Sequence, residues 1–227
     1  YLAAQAHDAE FMAWKLASES TGAYINRHLF SVRLFKSDSA TPRNDFDGRN
    51  ALLDHAVRHV TSSGLFVQCG LRNIDALNLL ARVLPPEQII HGVGSLETVL
   101  EERPLGNTRR GVCRSDEPPK VRSNVRLHTG WIEESFPAFL DQNREPIAFL
   151  YLDLEDYAAN QLVLNRIGNR FSPGAIIVFE EYFNFPGWEQ FGYRAFQEWI
   201  AGSPFQYEYI GFTPRHYSVA VKLFART

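Results

Sequence analysis

FVQCGLRNID, residues 66–75, runs a short apolar strand into a glycine and then into the start of a helix. A strand–glycine–helix junction is where open α/β sheets hold nucleotide-type cofactors, because the turn exposes backbone N–H groups at the helix start. Only one glycine is present here, Gly70, and the strand ends on Gln68 where an acid often stands. The junction therefore predicts an α/β fold while leaving open whether its loop still holds a cofactor.

The neighbouring segments repeat the alternation. LFVQC precedes a helical IDALNLLARVL that stops at Pro85–Pro86, and QIIHGVG follows as a second strand. NVRLH (124–128) is a strand, and WIEESFPAFLDQ is helical in spite of Pro137. IAFLYLDL and AIIVFEE are nearly unbroken apolar runs, as expected for strands covered on both faces. YAANQLVLNRIGNR and EQFGYRAFQEWIA supply the intervening helices. FQYEYIGF and HYSVAVKLF flank a TPR turn and read as an antiparallel pair. Strand–helix alternation implies parallel βαβ units with right-handed crossovers. The expected architecture is a Rossmann-like, mostly parallel seven-stranded sheet with a C-terminal antiparallel pair.

Residues 1–18 are rich in helix formers, and Asp47 is placed to cap a helix reaching about residue 61, with Leu52, Leu53, Ala56 and Val60 on one face. Residues 1–62 thus read as an N-terminal helical extension and 63–227 as the α/β domain, one globular unit in all. His55 and His59 stand one turn apart and read as an exposed helix edge.

The chain has 227 residues, a net charge of −3, 45% apolar and 22% charged residues. That balance gives no pull toward nucleic acid or anionic membrane, and no apolar run is long enough to span a bilayer. Residues 103–123 hold six basic residues against two acids. They read as a surface loop, with docking of a partner or an anion as the alternative; without interleaved aromatics they do not suggest nucleic acid. Two cysteines, Cys69 and Cys113, form no Cys-x-x-Cys motif, so neither a disulfide framework nor a zinc pattern is indicated. This composition is compatible with a soluble protein in a reducing compartment. The chain starts at Tyr1 and its one methionine is Met12, so it reads as processed or trimmed, with a targeting segment possible upstream.

Ligands of such sheets bind beyond the carboxyl ends of the strands. Asp153 ends one buried strand, followed by Glu155 and Asp156, and Glu180 and Glu181 end the next. Carboxylates from adjacent strand ends can converge on one Mg²⁺, which would fix vicinal hydroxyls and lower the pKa of one. Glu180 and Glu181 point to opposite faces unless the strand breaks there. Solvated strand ends or ion-pair partners are the competing reading. His128 ends NVRLH and is placed either as a general base or as a locally hydrogen-bonded side chain.

VRLHTGWIEESFPAFL, FLYLDLEDYAANQLVL and GAIIVFEEYFNFPGWEQFGYRAFQEW together resemble the macrocin O-methyltransferases, best over residues 124–223 and more weakly back to Gly64. Asp153-x-Glu155-x-Tyr157 is similar to that family's Asp-x-Asp-x-Tyr. Glu180-Glu181-Tyr182 with Pro186-Gly187-Trp188 is similar to its acid-acid-Tyr…Pro-Gly-Trp. The resemblance implies a class I methyltransferase fold, with S-adenosylmethionine as donor and Mg²⁺ as metal. It also implies a small-molecule hydroxyl as acceptor. It carries the metal ligands to Asp153, Glu180 and Glu181 and aligns its donor loops with Gln68, Gly70, Gly94 and Ser95, the candidate cofactor-binding residues; Asp153 and, from its strand-end position, His128 are the candidate catalytic residues.

The donor half departs from that pattern. Where the family shows Glu-Phe-Gly-Val-x-x-Gly-x-Ser, this chain has Gln68, Cys69, Gly70, Leu71, Arg72, Asn73, Ile74, Asp75 and Ala76. Gly94 stands where an aspartate would hold the donor's ribose hydroxyls. A hydrogen bond to a charged group contributes roughly 1.5–3 kcal/mol, so that one loss weakens binding about ten- to a hundredfold. Two readings follow. One is a pseudoenzyme, kept as a structural subunit or binding module in a larger assembly or with a protein partner. The other is an active Mg²⁺-dependent O-methyltransferase with an altered donor pocket.

Overall fold

The computed structural model describes residues 33–34, 46–96, 98–100, 111–113, 119–183, 187–213 and 218–226. Its elements, in chain order, are β1 (Arg33–Leu34), α1 (Phe46–Arg58), β2 (Leu65–Cys69), α2 (Ile74–Val83) and β3 (Ile90–Gly94). A small hairpin follows, β4 (Thr98–Leu100) and β5 (Gly111–Cys113), then β6 (Val125–Thr129), α3 (Ile132–Gln142), β7 (Ile147–Leu152) and α4 (Tyr157–Ile167). The chain closes with β8 (Phe171–Phe179), a 3₁₀ turn at Trp188–Gln190, α5 (Gly192–Gly202), β9 (Phe205–Phe212) and β10 (Val219–Ala225).

The main sheet has the order β1-β9-β10-β8-β7-β2-β3-β6. β10 runs antiparallel to both β8 and β9, while β8, β7, β2, β3 and β6 pair in parallel. These are the expected seven strands with their C-terminal antiparallel pair; the two-residue β1 adds a parallel edge against Gly211 and Phe212. β7 is buried at every position, as its unbroken apolar run requires at the centre of a sheet covered on both sides.

Alternation along the strands divides the core. Leu65, Val67 and Cys69 of β2 join Ile177 and Phe179 of β8 and the inner faces of α3, α4 and α5. Phe66, Tyr151, Ile176 and Val178 point the other way, onto Leu52, Leu53 and Ala56 of α1 and Leu77 and Leu80 of α2. α1 therefore packs into the same core as the sheet. Asp47 lies within its first turn, not ahead of it. His55 also reaches inward, with Nε2 3.2 Å from the Ile210 carbonyl, so only His59 fits the exposed-edge reading. The helix expected over residues 1–18 lies outside the described residues.

Candidate functional site at the carboxyl ends of the strands

The ladder continues one residue past the ends of the central strands. Gly70 N–H donates to the Val93 carbonyl (2.9 Å), Asp153 N–H to Cys69 (2.8 Å) and Glu180 N–H to Leu152 (2.9 Å). Gly70, Asp153 and Glu180 consequently stand abreast, with Gln68, Tyr151, Asp153 and Glu180 in the parity that faces α1 and α2. Gly70 makes the turn at φ +95°, and a Cβ there would lie 2.2 Å from the Asp153 carbonyl oxygen. Only glycine admits that approach.

The donor-side loop is closed on itself. Gln68 is fully buried, and its Nε2 donates to the carbonyls of Gly70 (2.9 Å) and Asn73 (3.2 Å), spanning the loop from end to end. Asn73 caps α2 by accepting from Ala76 N–H at 3.0 Å. Gly94, at the end of β3, is packed against the same turn, and a Cβ there would meet Gly70 Cα and N at 3.3 Å. Ser95 follows it, half-buried.

Between the loop and the acids lies Arg72. Its Nη2 donates to Asp153 Oδ1 at 3.0 Å, and its Nη1 is in contact with Glu155 Oε1. Asp153 is 5% exposed, and burial raises its carboxyl above the usual range in spite of the Arg72 charge. Its second oxygen, Oδ2, is buried without a hydrogen-bond partner. A parallel arrangement surrounds Glu180. Arg49 of α1 lies 3.6 Å from Glu180 Oε1, the Tyr151 hydroxyl donates to Oε2, and Ser218 Oγ donates to the Glu180 carbonyl (3.1 Å). Burial, reinforced by the Asp153 charge, pushes the Glu180 carboxyl up to about 7. β8 ends at Phe179 and the chain bends at Glu180 and Glu181. The break lets Glu181 act on both neighbours, its charge raising the pKa of Asp153 and of Glu180.

Asp153, Glu180 and Glu181 are thus brought into one electrostatic neighbourhood. They do not form a Mg²⁺ cage as they stand. Mg²⁺ requires oxygen ligands at about 2.0–2.1 Å in octahedral array, whereas Arg72 donates to Asp153 Oδ1, Tyr151 donates to Glu180 Oε2, and the Arg49 guanidinium stands 3.6 Å from Glu180 Oε1. Among the described residues no group of three His, Cys, Asp or Glu side chains is arranged to hold a metal ion.

His128 lies apart. Its Nε2 is 3.0 Å from His91 Nδ1, and both rings pack on Phe139 of α3. Burial lowers the pKa of both rings, that of His91 to about 4. β6 is three strand spacings from β7, so His128 and Asp153 sit about 14 Å apart across the sheet. A polar groove of about 510 Å³ lies along α2, lined by Asn50, Asp75, Asn78, Arg82, Lys120 and Arg122, and neither Asp153 nor Glu180 borders it.

Arg49, Arg72 and Tyr151 are site residues that motif reading passed over. Arg49 carried a signal. It lies on the helical period of Leu53 and Ala56, where a charge on a core face needs a partner, and it is 2% exposed. Tyr151 is hidden within an apolar run, and nothing in the local sequence pairs Arg72 with an acid 81 residues away.

No protein-family model and no curated protein matches the chain. Solved structures do share its fold. CalS11, a TDP-rhamnose 3'-O-methyltransferase of calicheamicin biosynthesis, aligns at TM-score 0.57 and 19% identity over 79% of this chain and 80% of that one. The O-methyltransferase NovP gives 0.54 at 15% identity, covering 79% of each chain. The O-methyltransferase TomG from Streptomyces achromogenes, in complex with SAM, gives 0.51 at 17% identity over 80% of this chain and 81% of that one. The fold of this protein is that of the class I methyltransferases.

Proposed function

We propose that this protein keeps the methyltransferase fold with lost or altered S-adenosylmethionine binding, and serves as a structural or binding subunit. The observation that carries this reading is the buried Gln68 side chain, whose Nε2 is held by the Gly70 and Asn73 carbonyls inside the donor-side loop while its Oε1 is buried without a hydrogen-bond partner. In the macrocin-like pattern this position offers a carboxylate, and Gly94 offers none. The separation of His128 from Asp153 weighs against their acting together on one acceptor hydroxyl. The partner in this reading is another protein or a larger assembly.

Calorimetry with S-adenosylmethionine and S-adenosylhomocysteine, with and without Mg²⁺, tests the proposal. No binding at millimolar ligand agrees with it. Micromolar binding overturns it and favours an O-methyltransferase acting on a small-molecule hydroxyl.

A further inference from the structure

We propose that Arg72 is the resident cation of the carboxylate site and latches the donor-side loop onto it. This inference rests on the reading above for the identity of the site and adds what fills it. The guanidinium bridges two carboxylates from the β7 end, with Nη2 on Asp153 Oδ1 and Nη1 on Glu155. A divalent ion at the end of β7 would draw on the same oxygens.

The loop presents Arg72 in a fixed position. Gly70 is held to Val93 at one end, Asn73 caps α2 at the other, and Gln68 ties the two ends together. A guanidinium has a permanent charge and a planar fork, so it can bridge two carboxylates without titrating away. Asp153 Oδ2 supplies a separate observation. It is buried and lacks a hydrogen-bond donor, so Arg72 satisfies one half of a carboxylate able to serve a second ligand. Arg49 stands on Glu180 in the same manner, from the α1 side. Asp153 and Glu180 thereby each face a protein cation. Arg72 and a metal ion compete at Asp153, because both are positive and Arg72 already holds Oδ1.

Mn²⁺ binding by the full chain, followed by the electron paramagnetic resonance of the free ion and without any methyl donor, tests this. Arg72→Gln is expected to bind Mn²⁺ at least about tenfold more tightly than wild type, the equivalent of one charge-assisted contact. Arg72→Lys, which keeps the charge, should stay near wild type, and Arg72→Gln combined with Asp153→Asn should lose the gain. Equal binding by wild type and Arg72→Gln, or a gain that survives Asp153→Asn, overturns the proposal. Glu155→Gln, a change at the half-exposed partner, provides a second arm that leaves the core intact. It should speed hydrogen exchange in the peptide 70–76, and unchanged exchange refutes the latch. Donor binding by wild type would sink the function proposed above without altering any of these outcomes.

Discussion

Replacing Gly70 by alanine tests the turn on which the site is built. At φ +95° an L-residue is strained by about 1–3 kcal/mol. The added Cβ would also lie 2.2 Å from the Asp153 carbonyl oxygen and 2.9 Å from its carbon, both backbone atoms. Relief requires moving the end of β7, whose side chains are fully packed, at a cost like that of overpacking, about 1–3 kcal/mol. Gly70→Ala should therefore destabilise the fold by about 3–5 kcal/mol. Gly202, in the last turn of α5, is the internal control, since a Cβ there meets nothing within 4 Å. Gly202→Ala should be neutral or stabilise by up to about 1 kcal/mol through helix propensity. Urea denaturation followed by tryptophan fluorescence and circular dichroism measures both. A Gly70→Ala variant within about 1 kcal/mol of wild type would show that the turn is not locked against Asp153, and the account of the site would fail with it.

Arg49→Met should cost about 2–4 kcal/mol, because Glu180 loses its cation in a site where its side chain is 13% exposed, and adding Glu180→Gln should restore part of the loss in a double-mutant cycle. The Glu180 carboxyl is raised from 4.5 to about 7, so the native state holds the extra proton between those values, and wild-type stability falls as pH rises through that window. Relative to Glu180→Gln, wild type should lose on the order of 3 kcal/mol from pH 4.5 to 7, and a flat difference in unfolding free energy would refute the shift. His91 acts in the opposite direction. With its pKa lowered from 6.5 to about 4, its contribution is lost as pH falls from 6.5, and an NMR titration should place its midpoint near the lower value. The buried Cys69 thiol, its pKa raised by burial, should react with thiol reagents only on unfolding, as peptide mass spectrometry would register.

Much of this protein is local in origin. Apolar runs such as IAFLYL, helix stops such as Pro85–Pro86 and the caps at Asn73 and Asp156 act within a few residues. They sufficed to indicate the sheet, its parallel core and its final antiparallel pair. The acids at the strand ends were legible for the same reason, because a parallel sheet brings the carboxyl ends of its strands to one edge. Their partners were not. Arg72 meets Asp153 across 81 residues and Tyr151 meets Glu180 across 29. Such pairings depend on strand order, which places β2 beside β7 and β7 beside β8, and on side-chain parity across the sheet. His128 illustrates the converse, since its place near a strand end left a general base and a locally hydrogen-bonded ring both open, and only strand order shows that it lies on the edge strand with Nε2 3.0 Å from His91 Nδ1. The alternation of strands and helices is written locally, through short-range burial and capping. Tertiary structure alone decided which charges meet, because an ion pair depends on the distance between groups in space and not on their separation along the chain.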